Sequence, residues 1–127
     1  RMLLYRELDS LTLEKDVQAF RERLEDRFGP VPNETEELLR IVSLRRLAAR
    51  LGVEKVYLKG GRMSLFFVSN PDSPYYQSQA FGKMIDYMMK YTRRCDLREQ
   101  NNRRSMLVKN VTTVEEAVYI LREIALL

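Results

Sequence analysis

At Gly52 the apolar residues of this chain change their spacing, and few folds satisfy both sides of that change. Before it, Leu38, Ile41, Val42, Leu44, Leu47, Ala48 and Leu51 recur at the steps of one broad helical face. After it the pattern alternates. Val53 to Lys59 and Arg62 to Val68 flank Gly60-Gly61, with Met63, Leu65 and Phe67 on one face and Phe66 and Val68 on the other. The glycine pair tolerates the positive φ angles of a two-residue hairpin turn. A chain that is helical first and strand-forming afterwards is expected to be α+β, its sheet covered at least partly on both sides.

The helical part is interrupted once. Thr12 is placed to cap a helix with Glu14 and Asp16 in its first turn, and Leu13, Val17, Phe20, Leu24 and Phe28 then form one stripe. Gly29 stands where helices stop, and Pro30 and Pro32 block continuation, so Phe28, Gly29, Pro30 and Pro32 read as architectural. Asn33 and Glu36 form a capping-box variant that opens the next helix, which carries acids at its front and Arg45, Arg46 and Arg50 at its back, as the macrodipole favours. Ahead of both, Leu3, Leu4, Tyr5 and Leu8 fit a short helix ended by Asp9-Ser10.

Beyond the first hairpin, Asn70-Pro71-Asp72-Ser73-Pro74 is turn chemistry leading into a helix, with Ser73 as cap and Pro74 as its first residue. Its stripe of Phe81, Met84, Ile85 and Met88 is read as core rather than as an adaptable groove. Residues 95 to 109 form a second, polar hairpin turning at Gln100-Asn101-Asn102. Thr112 and Thr113 offer overlapping capping boxes with Glu115 and Glu116, and a last helix follows. The expected architecture is therefore N-terminal helices packed beside a small antiparallel sheet of two hairpins with two further helices.

Composition narrows the chemistry. A chain of 127 residues is one domain's worth of sequence, and its opening at Arg1 suggests a fragment of a larger multidomain protein. With no histidine, the usual general base, the usual zinc ligand and the Ser-His and Cys-His nucleophile pairs are missing together. None of the glycines belongs to a phosphate-cradling loop or a dinucleotide fingerprint. No cofactor or catalysis is expected here. The lone Cys95 and the lack of any apolar run near membrane-spanning length suit a cytoplasmic protein with no membrane contact.

Two charged regions remain as candidates. Residues 90 to 109 hold Lys90, Arg93, Arg94, Arg98, Arg103, Arg104 and Lys109 against Asp96 and Glu99, a net of +5. Such a strip is able to contact nucleic acid through Arg93, Arg94, Arg98, Arg103 and Arg104. Keeping exposed strand edges soluble is the simpler reading, because aromatic residues are not interleaved along it. The other region gathers Glu22, Glu25 and Asp26, with Arg27, at a helix end that is already negative. Pairing of Arg21 with Glu25 would make it an ordinary solvated face, but Glu22 and Asp26 are like charges one turn apart. A basic partner surface would answer them.

Leu24-x-Asp26-Arg27-Phe28-Gly29-Pro30-Val31-Pro32, followed by Glu36-x-Leu38-Leu39, Leu44-Arg45, Ala48 and Leu51-Gly52-Val53, resembles the C-terminal domain of the bacterial transcription-repair coupling factor. The resemblance is specific to residue 53 and continues as matching element order to Leu127. It implies a full-length ATP-driven, Mg-dependent translocase on double-stranded DNA, which displaces stalled RNA polymerase and recruits the excision-repair protein UvrA. The motor would lie upstream. It also implies that this domain packs on the N-terminal UvrA-binding module of the same protein and hides its recognition surface, an autoinhibitory role. The family contact falls on Asp26 with neighbouring Arg27. Relatives often have another acid one turn earlier, where this chain has Arg23, and Glu22 and Glu25 are placed to supply that charge.

Overall fold

The computed structural model describes residues 14 to 127, so the expected short helix, the Thr12 cap and Leu13 lie outside the described residues. The chain divides into two compact units, Arg1–Arg46 and Leu47–Leu127. In the first, helix α1 (Glu14–Phe28) and helix α2 (Asn33–Arg50, which continues into the second unit) are joined by the Gly29 to Pro32 break. Gly29 takes a φ of +83°, and its N–H donates to the Glu25 carbonyl at 2.8 Å, a left-handed stop that most side chains resist. Helix α2 begins with the Pro32 carbonyl accepting from Glu36 N–H at 3.0 Å. Val17 and Phe20 of α1 are buried with Leu39 and Val42 of α2, and Leu24 and Leu38 pack against them. Burying side chains of this size stabilises by about 1.5–3 kcal/mol each.

The stripe fails at its last member. Phe28 was expected to pack, but it is 69% exposed. A residue at the end of a helix just before a left-handed glycine has no following turn to shelter it, and the chain leaves in another direction.

The second unit is built on four strands: β1 (Val53–Lys59), β2 (Arg62–Phe67), β3 (Cys95–Gln100) and β4 (Arg103–Lys109). All pairings are antiparallel and the order is β1-β2-β4-β3, so the two hairpins meet along β2 and β4. Both hairpin turns use two successive residues at positive φ, Gly60-Gly61 in one and Asn101-Asn102 in the other, as tight turns between twisted strands require. Met63, Leu65, Phe67, Met106 and Val108 share one face and are fully buried. Helix α3 (Gln79–Lys90) and helix α4 (Val114–Ala125) bury their apolar stripes with that face, and the Phe81 ring stands edge-on to Phe67 at 5.3 Å. The expectation of cover on both faces is corrected accordingly. The opposite face carries Lys55, Tyr57, Lys59, Arg62 and Phe66, with only Leu107 fully sheltered, the pattern of an antiparallel sheet with one wet side.

The helix expected to start at Pro74 is split. Ser73 does cap, but it caps a one-turn 3-10 helix, Pro74–Gln77, and Ser78 caps α3 by accepting from Phe81 N–H at 3.2 Å. The break lets Tyr75 donate to the Leu51 carbonyl at 2.6 Å and Tyr76 donate to the Val68 carbonyl. At the start of α4 one capping box forms: Thr113 accepts from Glu116 N–H at 3.1 Å, and the Glu116 carboxylate takes the Thr112 N–H and hydroxyl. Among the described residues no helix is long and apolar enough to cross a membrane.

Candidate docking interface

The last two turns of α1 bring Glu22, Glu25 and Asp26 to a helix end whose carbonyls already make the potential negative. The geometry separates these acids into two groups. Glu25 is held by Arg21 at 2.5 Å, and the same guanidinium reaches Glu36 at the start of α2 at 2.6 Å. The Glu36 hydrogen bond, then the charges of Glu25, Glu36 and Glu22, raise the Arg21 pKa above its ordinary value despite some desolvation. Glu36, assigned to a capping box from its spacing, thus serves to tie α2 to α1. Its partner Arg21 is part of a clasp that stiffens the unit.

Glu22 and Asp26 form the other group. Both are exposed, and among the described residues neither has an ion-pair partner. Like charges one turn apart cost about 0.2–0.5 kcal/mol, and a carboxylate in the last turn of a helix costs about 0.3–1 kcal/mol more. Two residues beyond Asp26, and so on another side of the helix, the Phe28 ring stands out in solvent with the Arg27 guanidinium 5.8 Å from its centre. Arg23, one turn before Arg27, lies 5.5 Å from the Phe20 ring. The corner therefore offers two exposed carboxylates without an ion-pair partner among the described residues and, on another side of the helix, an exposed aromatic ring. A lysine or arginine side chain arriving from a partner fits the carboxylate pair, its charge at Glu22 and Asp26. The exposure of Phe28 is not visible in the apolar stripe that it continues, and the one available signal is its position directly before the Gly-Pro stop.

The basic hairpin looks different in three dimensions. Arg104 meets Glu99 at 2.9 Å and lies 4.8 Å from the Tyr76 ring centre. Arg103 reaches Glu54 at 3.6 Å with its guanidinium 5.2 Å from the Phe66 ring centre. Arg94 donates to the carbonyls of Lys109 and Asn110, at 2.8 and 3.1 Å. Asp96 stands 4.0 Å from Arg98 and 3.5 Å from Lys109. Of the five candidate arginines, Arg93 is the one with no such partner among the described residues. The +5 of the linear sequence is largely absorbed by carboxylates, rings and carbonyls of the same unit. Cys95 is buried here, and that burial raises its thiol pKa, which favours the unreactive form.

Comparison with known proteins places the chain. The model of the TRCF domain matches residues 1–78. The transcription-repair-coupling factor of Rickettsia prowazekii is 26% identical over 125 residues, which is 95% of this chain and 10% of that protein. The protein of the same name from Borreliella burgdorferi is 25% identical over 128 residues, 100% of this chain and 11% of that one. The chain thus spans about a tenth of the length of these curated relatives. A crystal structure of the C-terminal domain of transcription-repair coupling factor superposes with a TM-score of 0.71 at 18% identity, covering 98% of this chain and 78% of that one, so the α+β fold is shared.

Proposed function

The chain belongs to the TRCF domain family, and from that premise we propose that it is a non-catalytic docking domain at the C-terminal end of a transcription-repair coupling factor. It acts as a clamp within its own protein. The acidic corner of α1 holds a basic surface on the N-terminal UvrA-binding module and covers the UvrA site until the protein is engaged on its target. The observation that carries this reading is the pair of exposed carboxylates Glu22 and Asp26, one turn apart and without an ion-pair partner among the described residues, at a helix end where negative charge is already unfavourable. A partner cation removes that cost, and an intramolecular partner makes the closure local and reversible.

The remaining family properties belong in this reading to the rest of the protein: an ATP- and Mg-dependent motor on double-stranded DNA, and RNA polymerase and UvrA as partners in the bacterial cytoplasm. Glu25 and Arg27 are supporting members of the corner, Glu25 through its clasp to Arg21 and Arg27 through its position against Phe28. Duplex contact through the 90 to 109 hairpin is the lesser reading, since most of its arginines already have partners at close range.

The test is Glu22→Arg with Asp26→Arg in the full-length protein, read by UvrA affinity. The clamp reading expects tighter UvrA binding from the opened protein. Unchanged affinity in a variant that melts like the parent removes it.

A further inference from the structure

The wet face of the sheet carries an arrangement that strand pairing reveals and linear sequence does not. Lys59 of β1 stands directly opposite Arg62 of β2, and Arg62 stands directly opposite Lys109 of β4. Three cations therefore form one row across three adjacent strands. Like charges directly opposite one another on a sheet are destabilising, so the row works against the fold that presents it. Asp96 answers Lys109 at 3.5 Å, but among the described residues no carboxylate pairs with Lys59 or Arg62. The neighbouring basic side chain Arg94 is turned aside onto the Lys109 and Asn110 carbonyls.

One step further along the same face, at the two-residue repeat of about 7 Å, comes Tyr57. Its ring is 51% exposed, stands edge-on to Phe66 at 5.9 Å, and has the Lys55 ammonium 4.5 Å from its centre. Hydrogen bonding to Lys55, and that ammonium's charge, lower the Tyr57 hydroxyl pKa. The face thus has a row of cations and, beside it, a half-exposed aromatic ring that carries the Lys55 ammonium on one face.

The geometry points to a single-stranded nucleic-acid site on this face, with backbone phosphates on Lys59, Arg62 and Lys109 and an unpaired base stacked on Tyr57. Cations alone would suit any polyanion. The ring selects a ligand whose flat bases are free, which disfavours a paired duplex, and that no carboxylate among the described residues pairs with Lys59 or Arg62 suits a continuous anionic backbone. This site is built from residues of the second unit and shares none with the acidic corner of α1.

The experiment is fluorescence anisotropy of the 127-residue chain with a fluorescein-labelled 15-nucleotide thymidine strand, a 15-base-pair duplex and a poly-glutamate peptide. The expected result is binding to the single strand in preference to both others, weakening as salt rises. Tyr57→Ala should weaken it about tenfold, Tyr57→Phe should leave it within about twofold, and Arg62→Glu should both weaken it and flatten its salt dependence. Thermal melts show whether each variant is folded, and Lys59→Glu repeats the charge test at the other end of the row. No binding, equal binding to duplex or peptide, or equal affinity for Tyr57→Ala and the parent would overturn the assignment.

Discussion

Two helices in this chain end in the same way, at a glycine with positive φ, yet the two corners differ in what fills the space beside them. At Gly52, φ is +72° and the Tyr75 ring lies on the glycine: a Cβ there would stand 2.6 Å from Tyr75 Cδ1. The Tyr75 hydroxyl donates to the Leu51 carbonyl, and the rings of Phe67, Tyr76 and Phe81 surround it at 5.3 to 6.3 Å. At Gly29, φ is +83° and a Cβ would meet nothing within 4 Å, while the aromatic residue next to it points into solvent. One corner is closed by its own chain and the other is left open. A stop signal in sequence says where a helix ends, and the neighbours decide whether that end belongs to the core or to a partner.

The contrast can be broken by adding a single methyl group to each glycine. Gly52→Ala forces a clash with Tyr75 on top of an unfavourable backbone region and should cost about 3 kcal/mol or more in urea denaturation. Alkaline titration should then open the closed corner selectively. Burial, with Tyr76 nearby, raises the Tyr75 hydroxyl above its ordinary 10, and burial pushes Tyr87 up to about 12 although Arg94 pulls it down. The unfolded chain loses these protons first. The stabilisation is therefore whole below about pH 10 and is lost as pH rises through 12, and Tyr75→Phe should flatten the loss seen in denaturant midpoints between pH 8 and 11.

Gly29→Ala meets backbone strain alone, so about 1 kcal/mol is expected, well short of the Gly52 change. An equal cost at the two glycines would end the comparison. Phe28→Ala sharpens it from the other side: stability should stay within about 0.5 kcal/mol, because the ring is exposed, while clamp closure in the full-length protein weakens. A large loss of melting temperature would instead return Phe28 to the core.

The elements were legible wherever local chemistry chooses them. The helices around Gly29, the Gly60-Gly61 and Asn101-Asn102 turns and the Thr113 cap all follow from residues within a few positions of each other. The placement of Glu22, Glu25 and Asp26 at a helix end was legible for the same reason, since a helix end and its charges are neighbours in sequence. Phe28 was misread because periodicity predicts a face but not where the packing partner stops. The 3-10 break at Ser78 was hidden because it depends on Tyr75 and Tyr76 finding carbonyls at Leu51 and Val68. The partners of the basic strip were not legible. Its net charge was counted along the chain, whereas Glu54 and Tyr76, which meet Arg103 and Arg104, come from elsewhere in the sequence. The cation row is the converse case, since Lys59, Arg62 and Lys109 become one feature only after β2 pairs with β4.

That pairing also orders the events of folding. Each hairpin closes through a two-residue turn, so its strands search a short loop and zip within microseconds. The seam between β2 and β4 joins Met63 to Val108, 45 positions apart, and pays its loop entropy before any contact repays it. The sheet should therefore assemble as two early ribbons and one late docking step. Substitutions at Leu65 or Met106, which face each other across the seam, should slow refolding more than changes at either turn.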